Sequence, residues 1–90
     1  MLKVGRYYKL VRGKEGTWDL DGKYYIKIRK RNKEVAGNFY WYTVDIVNEY
    51  RNKYTYIPNH QWGMYSKWAN KHTIEISEKK YELEKRLALI

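Results

Sequence analysis

Ninety residues with 19 Lys or Arg against 10 Asp or Glu carry a net charge of +9, a balance that favours a polyanionic partner. Cysteine is absent, which excludes a disulfide framework, a thiolate nucleophile and any thiolate metal site. No apolar run approaches the ~20 residues of a membrane span, and the alternating Met1–Val11 segment lacks the apolar core of a signal peptide, so a single cytoplasmic domain over 1–90 with no membrane partner is expected.

The first element expected is a strand over Gly5–Arg12. A long loop, Gly13–Gly22, follows; its three glycines and its Asp21-Gly22 pair are turn chemistry, and Trp18 is its anchor. Lys23–Arg31 is the clearest strand. Tyr24, Ile26 and Ile28 alternate with Tyr25, Lys27, Arg29 and Arg31, so period 2 predicts an apolar face turned inward and a basic face turned outward. A polar loop over Asn32–Asn38 leads to a strand over Phe39–Val47. There Tyr40, Tyr42, Val44 and Ile46 are expected inside, with Phe39, Trp41, Thr43 and Asp45 facing water.

Asn48–Asn52 reads as a turn and Lys53–Ile57 as a short strand that Pro58 stops. Trp62, Tyr65 and Trp68 recur every three residues, which fits a short helical turn with one aromatic face. Thr73–Ile76 reads as a last strand with Ile74 and Ile76 inward. Ser77 is the predicted cap of a C-terminal helix over 78–90, whose acidic start and basic end suit the helix dipole. Its apolar stripe is expected at Tyr81, Leu83, Leu87 and Ile90, packed on the domain or on a second copy. The chain is thus a monomer or a homodimer through that helix.

Five short antiparallel strands, with one helical turn before the last, resemble the SH3-like small β-barrels. The likeness rests on Val4-Gly5-Arg6-Tyr7-Tyr8 entering the first strand, the Gly13–Gly22 loop and the Pro58–Trp62 segment. It covers residues 3–76 and implies a mainly β, five-stranded barrel followed by the terminal helix, with an OB-like barrel as the alternative. The Ala-Leu-Tyr-Asp-Tyr run of the peptide-binding members is missing, so recognition of Pro-rich peptides does not carry over. The ribonuclease toxins of this class show that such a fold can cleave RNA with Arg, Lys and Tyr alone; a metal-independent ribonuclease is therefore the enzymatic alternative, although nothing in the chain matches their signature closely enough to transfer catalytic residues.

Chemistry-bearing motifs are sparse. There is no Gly-rich phosphate loop, His60 and His72 lack metal-ligand spacing, and Ser66 and Ser77 have no His–Asp partnership. No catalytic residue, metal or cofactor is therefore expected. The positive signal is charge: Met1–Lys33 carries +8 of the +9. Cations interleaved with aromatic residues suit phosphate tracking and base stacking.

Lys9, Arg12, Lys14, Lys27, Arg29 and Arg31 are the expected phosphate contacts of a DNA- or RNA-binding face, and Tyr25 and Trp41 its stacking residues. The other function class is a protein-binding inhibitor or adaptor of a host or defence protein, anti-CRISPR-like, with Trp62, Tyr65 and Trp68 as hot spots. Abundant Lys, Tyr, Asn and Ile suggest the AT-rich genome of a low-GC bacterium or its phage. A third option, an aromatic cage for a methylated amine, would use Trp18 with Asp19 and Asp21.

Overall fold

A computed structural model of the chain describes residues 2–11 and 22–90. The expected Gly13–Gly22 loop (up to its last residue), Trp18, Asp19, Asp21, Arg12 and Lys14 lie outside the described residues.

Five antiparallel strands form one sheet: β1 (Tyr7–Leu10), β2 (Lys23–Ala36), β3 (Phe39–Tyr50), β4 (Lys53–Tyr65) and β5 (Thr73–Ile76), with α1 (Ser66–His72) before β5 and α2 (Glu78–Leu89) after it. The spatial order is β4-β3-β2-β1-β5. Both long hairpins close through two-residue turns with positive φ at both positions, Gly37-Asn38 and Arg51-Asn52. That twist matches the right-handed strands on either side.

The sheet is open, where a closed barrel was expected. β4 and β5 are its free edges. The chain passes from one edge to the other through α1, which puts Ala69 and half-buried Trp68 on the core. A helix thus stands where a closing strand pair would be, and it satisfies its own backbone without joining the edges.

Pro58 does not stop β4. As an edge strand, β4 tolerates a residue with no N–H at a bulge. Pro58 and Asn59 together oppose Asp45 between the Ile46–Ile57 and Val44–His60 pairs. Asn59 takes a left-handed φ of 54° there. Its N–H donates to Asp45 Oδ1 at 2.9 Å, so the bulge is held by a side chain of the neighbouring strand. Trp62 and Tyr65 therefore belong to β4 and, three residues apart, point to opposite faces. The helical turn expected through them begins only at Ser66.

Each face of the sheet has its own core. The inner one holds Tyr8, Leu10, Ile26, Ile28, Tyr42, Val44, Ile46 and Met64, closed by Leu2 and Ala69. On the outer face α2 covers Tyr25 and Val47 through Tyr81, with Tyr7, Tyr54, Tyr56, Ile76 and Ala88 around them. Ile74 and Ile76 pair with Lys9 and Tyr7 and so lie on this outer face, against the inward expectation. Ile76 joins the α2 cluster and Ile74 is exposed.

Ser77 caps α2 as predicted, accepting from Lys80 N–H at 3.1 Å. The stripe differs. Tyr81 and Glu84 are buried and Ala88 half-buried, while Leu83, Leu87 and Ile90 are exposed. Two residues subtend about 200° on a helix, so Tyr81 and Leu83 cannot share a face.

Burial pushes the phenols of Tyr81, Tyr25 and Tyr42 above their usual value of 10.0, and Tyr81 most. Unfolding lets each ionise at its ordinary value. The stability they contribute is therefore complete below about pH 10 and is lost as pH rises through the folded-state values. Thermal melts should show a falling midpoint above about pH 10. Phenolate absorbance should appear in two steps, the second coincident with unfolding; a single step with every tyrosine ionising in the folded state would refute this.

Candidate nucleic-acid interface

Strand alternation carries the predicted basic face only as far as Ile28. Ile28 pairs with Val44, but the next pair is Lys30 with Thr43, so Arg29 is an extra residue. A bulge of this kind reverses which side each later residue takes. Lys27, Arg29 and Lys30 lie on the outer face. Arg31, opposite buried Tyr42, turns to the inner side, where its guanidinium stands 5.4 Å over the Tyr40 ring. The expected row of Lys27, Arg29 and Arg31 is thus corrected to Lys27, Arg29 and Lys30.

Asp45 organises the middle of this face. Expected to face water, it is 2% exposed. Its Oδ2 accepts from Arg29 Nη1 at 3.1 Å and its Oδ1 from the Asn59 N–H. Its backbone carbonyl accepts from the Tyr81 hydroxyl at 3.2 Å. The carboxylate thus ties the β4 bulge to Arg29, and the carbonyl ties β3 to α2.

Tyr25, predicted to stack on bases, is 3% exposed. It lies under α2, with Lys80 Nζ 5.7 Å above its ring and Lys80 bonded to Glu84 at 2.9 Å. Lys9 pairs with Tyr25 at the same end of the face, and Lys27 stands 5.7 Å over the Tyr7 ring. α2 therefore occupies one end of the outer face, and of the two predicted stacking residues Trp41 alone stays available.

The other end is open. Trp41 is 42% and Tyr65 57% exposed, and half-buried Phe39 lies between them. Phe39 meets Trp41 edge-on at 5.6 Å and Tyr65 at 4.8 Å. Gly63, opposite Trp41, is the floor of this cluster; a Cβ there would strike the Phe39 ring and crowd Trp41.

Between the rings and the cations sits a polar trio. Asn32 Nδ2 donates to Thr43 Oγ1 at 3.2 Å and to Gln61 Oε1 at 2.9 Å, and Gln61 Nε2 donates to Thr43 Oγ1 at 2.9 Å. Beyond Tyr65, an open groove of ≈ 420 Å³ is lined by Gly37, Asn38, Ser66, Lys67 and Trp68. Alternation along the strand places Phe39 and Thr43 on this face beside Trp41 without giving them a binding role, whereas Lys30, Asn32 and Gln61 are missed.

The predicted hot-spot trio shares one shallow pocket: Trp62, Tyr65 and Trp68 line it together with Phe39, Gly63 and Met64. Trp62 packs on the inner core beside Tyr24. Trp68 stacks on His72 at 4.8 Å, and Tyr65 lies on the outer face. His72 is buried with Nδ1 3.2 Å from the Val11 carbonyl, and His60 meets the Trp62 edge. Among the described residues no three His, Asp or Glu side chains gather as a metal site, and no helix is long and apolar enough to cross a membrane. In comparisons with known proteins, no family model, no curated protein and no solved structure matches the chain.

Proposed function

We propose that the chain is a non-catalytic nucleic-acid-binding module that uses the open end of its outer face. One observation carries this reading: cations and exposed aromatic rings share that end. Arg29 and Lys30 stand on β2 beside Asp45, Phe39, Trp41 and Tyr65 extend the face, and Lys67 follows at the start of α1. Phosphates would be neutralised by the cations and bases would lie on the rings, with little base-specific readout. The order that sets β5 beside β1, with a helix between β4 and β5, supports an SH3-like arrangement left open. The Cys-free composition suits the cytoplasm.

The full chain titrated against single- and double-stranded DNA and RNA tests the reading. Log affinity should fall linearly with log salt, with a slope of about −2.1 to −3.6 for three or four phosphate contacts. No salt-dependent binding to any of the four would refute it.

A protein-binding adaptor is the second reading. It is supported by the pocket that Trp62, Tyr65 and Trp68 share and by the exposed Leu83 and Leu87 of α2 with Ile90 at its end, which a host protein or a second copy of the chain would cover. Retention of a protein partner that survives nuclease treatment would favour this reading.

A further inference from the structure

We infer that the open end of the outer face takes a single strand of nucleic acid and holds its unpaired bases, an inference that rests on the nucleic-acid reading above. A duplex keeps the faces of its bases stacked on one another and presents phosphates and groove edges. Exposed ring faces gain nothing from it, whereas an unpaired base offers a π-face to any of them.

Trp41 and Tyr65 are the two most exposed rings of the cluster. They are held in place by edge contacts to Phe39 and by a glycine floor on which a side chain would displace that Phe. Rings fixed edge-on by a neighbour are pre-ordered, so little side-chain freedom remains to be lost on binding.

The polar trio beside the rings points the same way. Thr43 Oγ1 accepts from both amides, which leaves its own hydroxyl hydrogen available to donate. The Asn32 amide donates twice through Nδ2, which leaves its carbonyl oxygen to accept. A donor beside an acceptor matches the Watson–Crick edge of an unpaired base, and pairing removes that edge from reach.

Charge complementarity completes the surface. Lys30 lies one strand to one side, in register with Thr43, and Lys67 lies beyond Tyr65 on the other. Cations thus border the rings on both sides, as a backbone crossing the three strands requires. Adjacent strands are spaced by about 4.8 Å.

The test uses the full chain with oligo(dT), oligo(U) and a duplex, each of about 15 units, a length at the upper end of known single-strand sites. At least one single strand should bind more tightly than the duplex. Trp41→Ala should weaken that binding about tenfold or more, Tyr65→Ala similarly, and Trp41→Phe less, all with the salt slope unchanged. Circular dichroism of each variant checks the fold, and because both side chains are exposed the folded spectrum should persist.

The inference is overturned if the duplex binds as well as the single strands. It is equally overturned if both alanine variants stay within about twofold of the parent. In either case salt-dependent binding would still uphold the broader nucleic-acid reading. Absence of binding to all three probes would overturn both.

Discussion

Replacing Tyr81 by alanine is expected to remove about 3–5 kcal/mol of stability, the range for truncating a large buried aromatic side chain. Tyr81 is the fully buried residue through which α2 covers the outer face. Its ring lies 5.1 Å from that of Tyr7, and its hydroxyl is bonded to the Asp45 carbonyl. The change would leave a cavity over Tyr25 and Val47 and release the helix that caps them.

A small domain has about 5–15 kcal/mol in all, so the melting midpoint should fall by roughly 15–30 °C. Tyr81→Phe keeps the ring and forfeits one hydrogen bond, for about 1 kcal/mol. Urea and thermal melts of the two variants measure the difference. A Tyr81→Ala protein that melts within a few degrees of the parent would show that α2 does not hold the sheet.

Reversing charge on the two faces of β2 should give opposite outcomes from neighbouring positions. Lys30 and Arg31 are adjacent, yet the bulge at Arg29 sends Lys30 outward beside Thr43 and Arg31 inward beside Tyr42. Lys30→Glu combined with Lys67→Glu removes two phosphate contacts. With about 0.7–0.9 log units lost per contact per decade of salt, affinity at roughly 0.1 M salt should drop about 25–60-fold and the salt slope should become shallower by about 1.4–1.8.

Neither change threatens folding. Both residues are exposed, and an acidic residue in the first turn of α1 suits the helix dipole. Arg31→Glu alters the charge by as much as either single change, but should leave affinity within about twofold. Titrations of both variants across salt concentrations make the comparison. Equal losses would mean that the whole basic segment acts as a diffuse field and that the face assignment is wrong.

The mainly β class, the first residues of four strands and of the terminal helix, and the Ser77 cap are legible in the chain alone. These are local matters. Alternation of Tyr24, Ile26 and Ile28, turn residues such as Gly37-Asn38, and a hydroxyl three residues before a backbone N–H act within a few residues of one another.

Lys30 and Arg31 in β2 and the residues beyond Pro58 in β4 escape a reading of alternation because a bulge is a property of a strand pair. One extra residue, Arg29 or Asn59, reverses the side chains that follow it up to the next shift in register, and only the register of the neighbouring strand shows where it falls. The same limit hid Asp45: its burial depends on Asn59 and Arg29, both 14 or more residues away along the chain. Tyr25 was lost from the site because α2, far along the chain, folds back over it.

Three features come from tertiary packing: the sheet stays open, α1 leads the chain from β4 to β5 without closing it, and Phe39, Trp41 and Tyr65 meet over Gly63. Each depends on which strands become neighbours, a choice made by long-range packing that a pattern read along one chain does not contain.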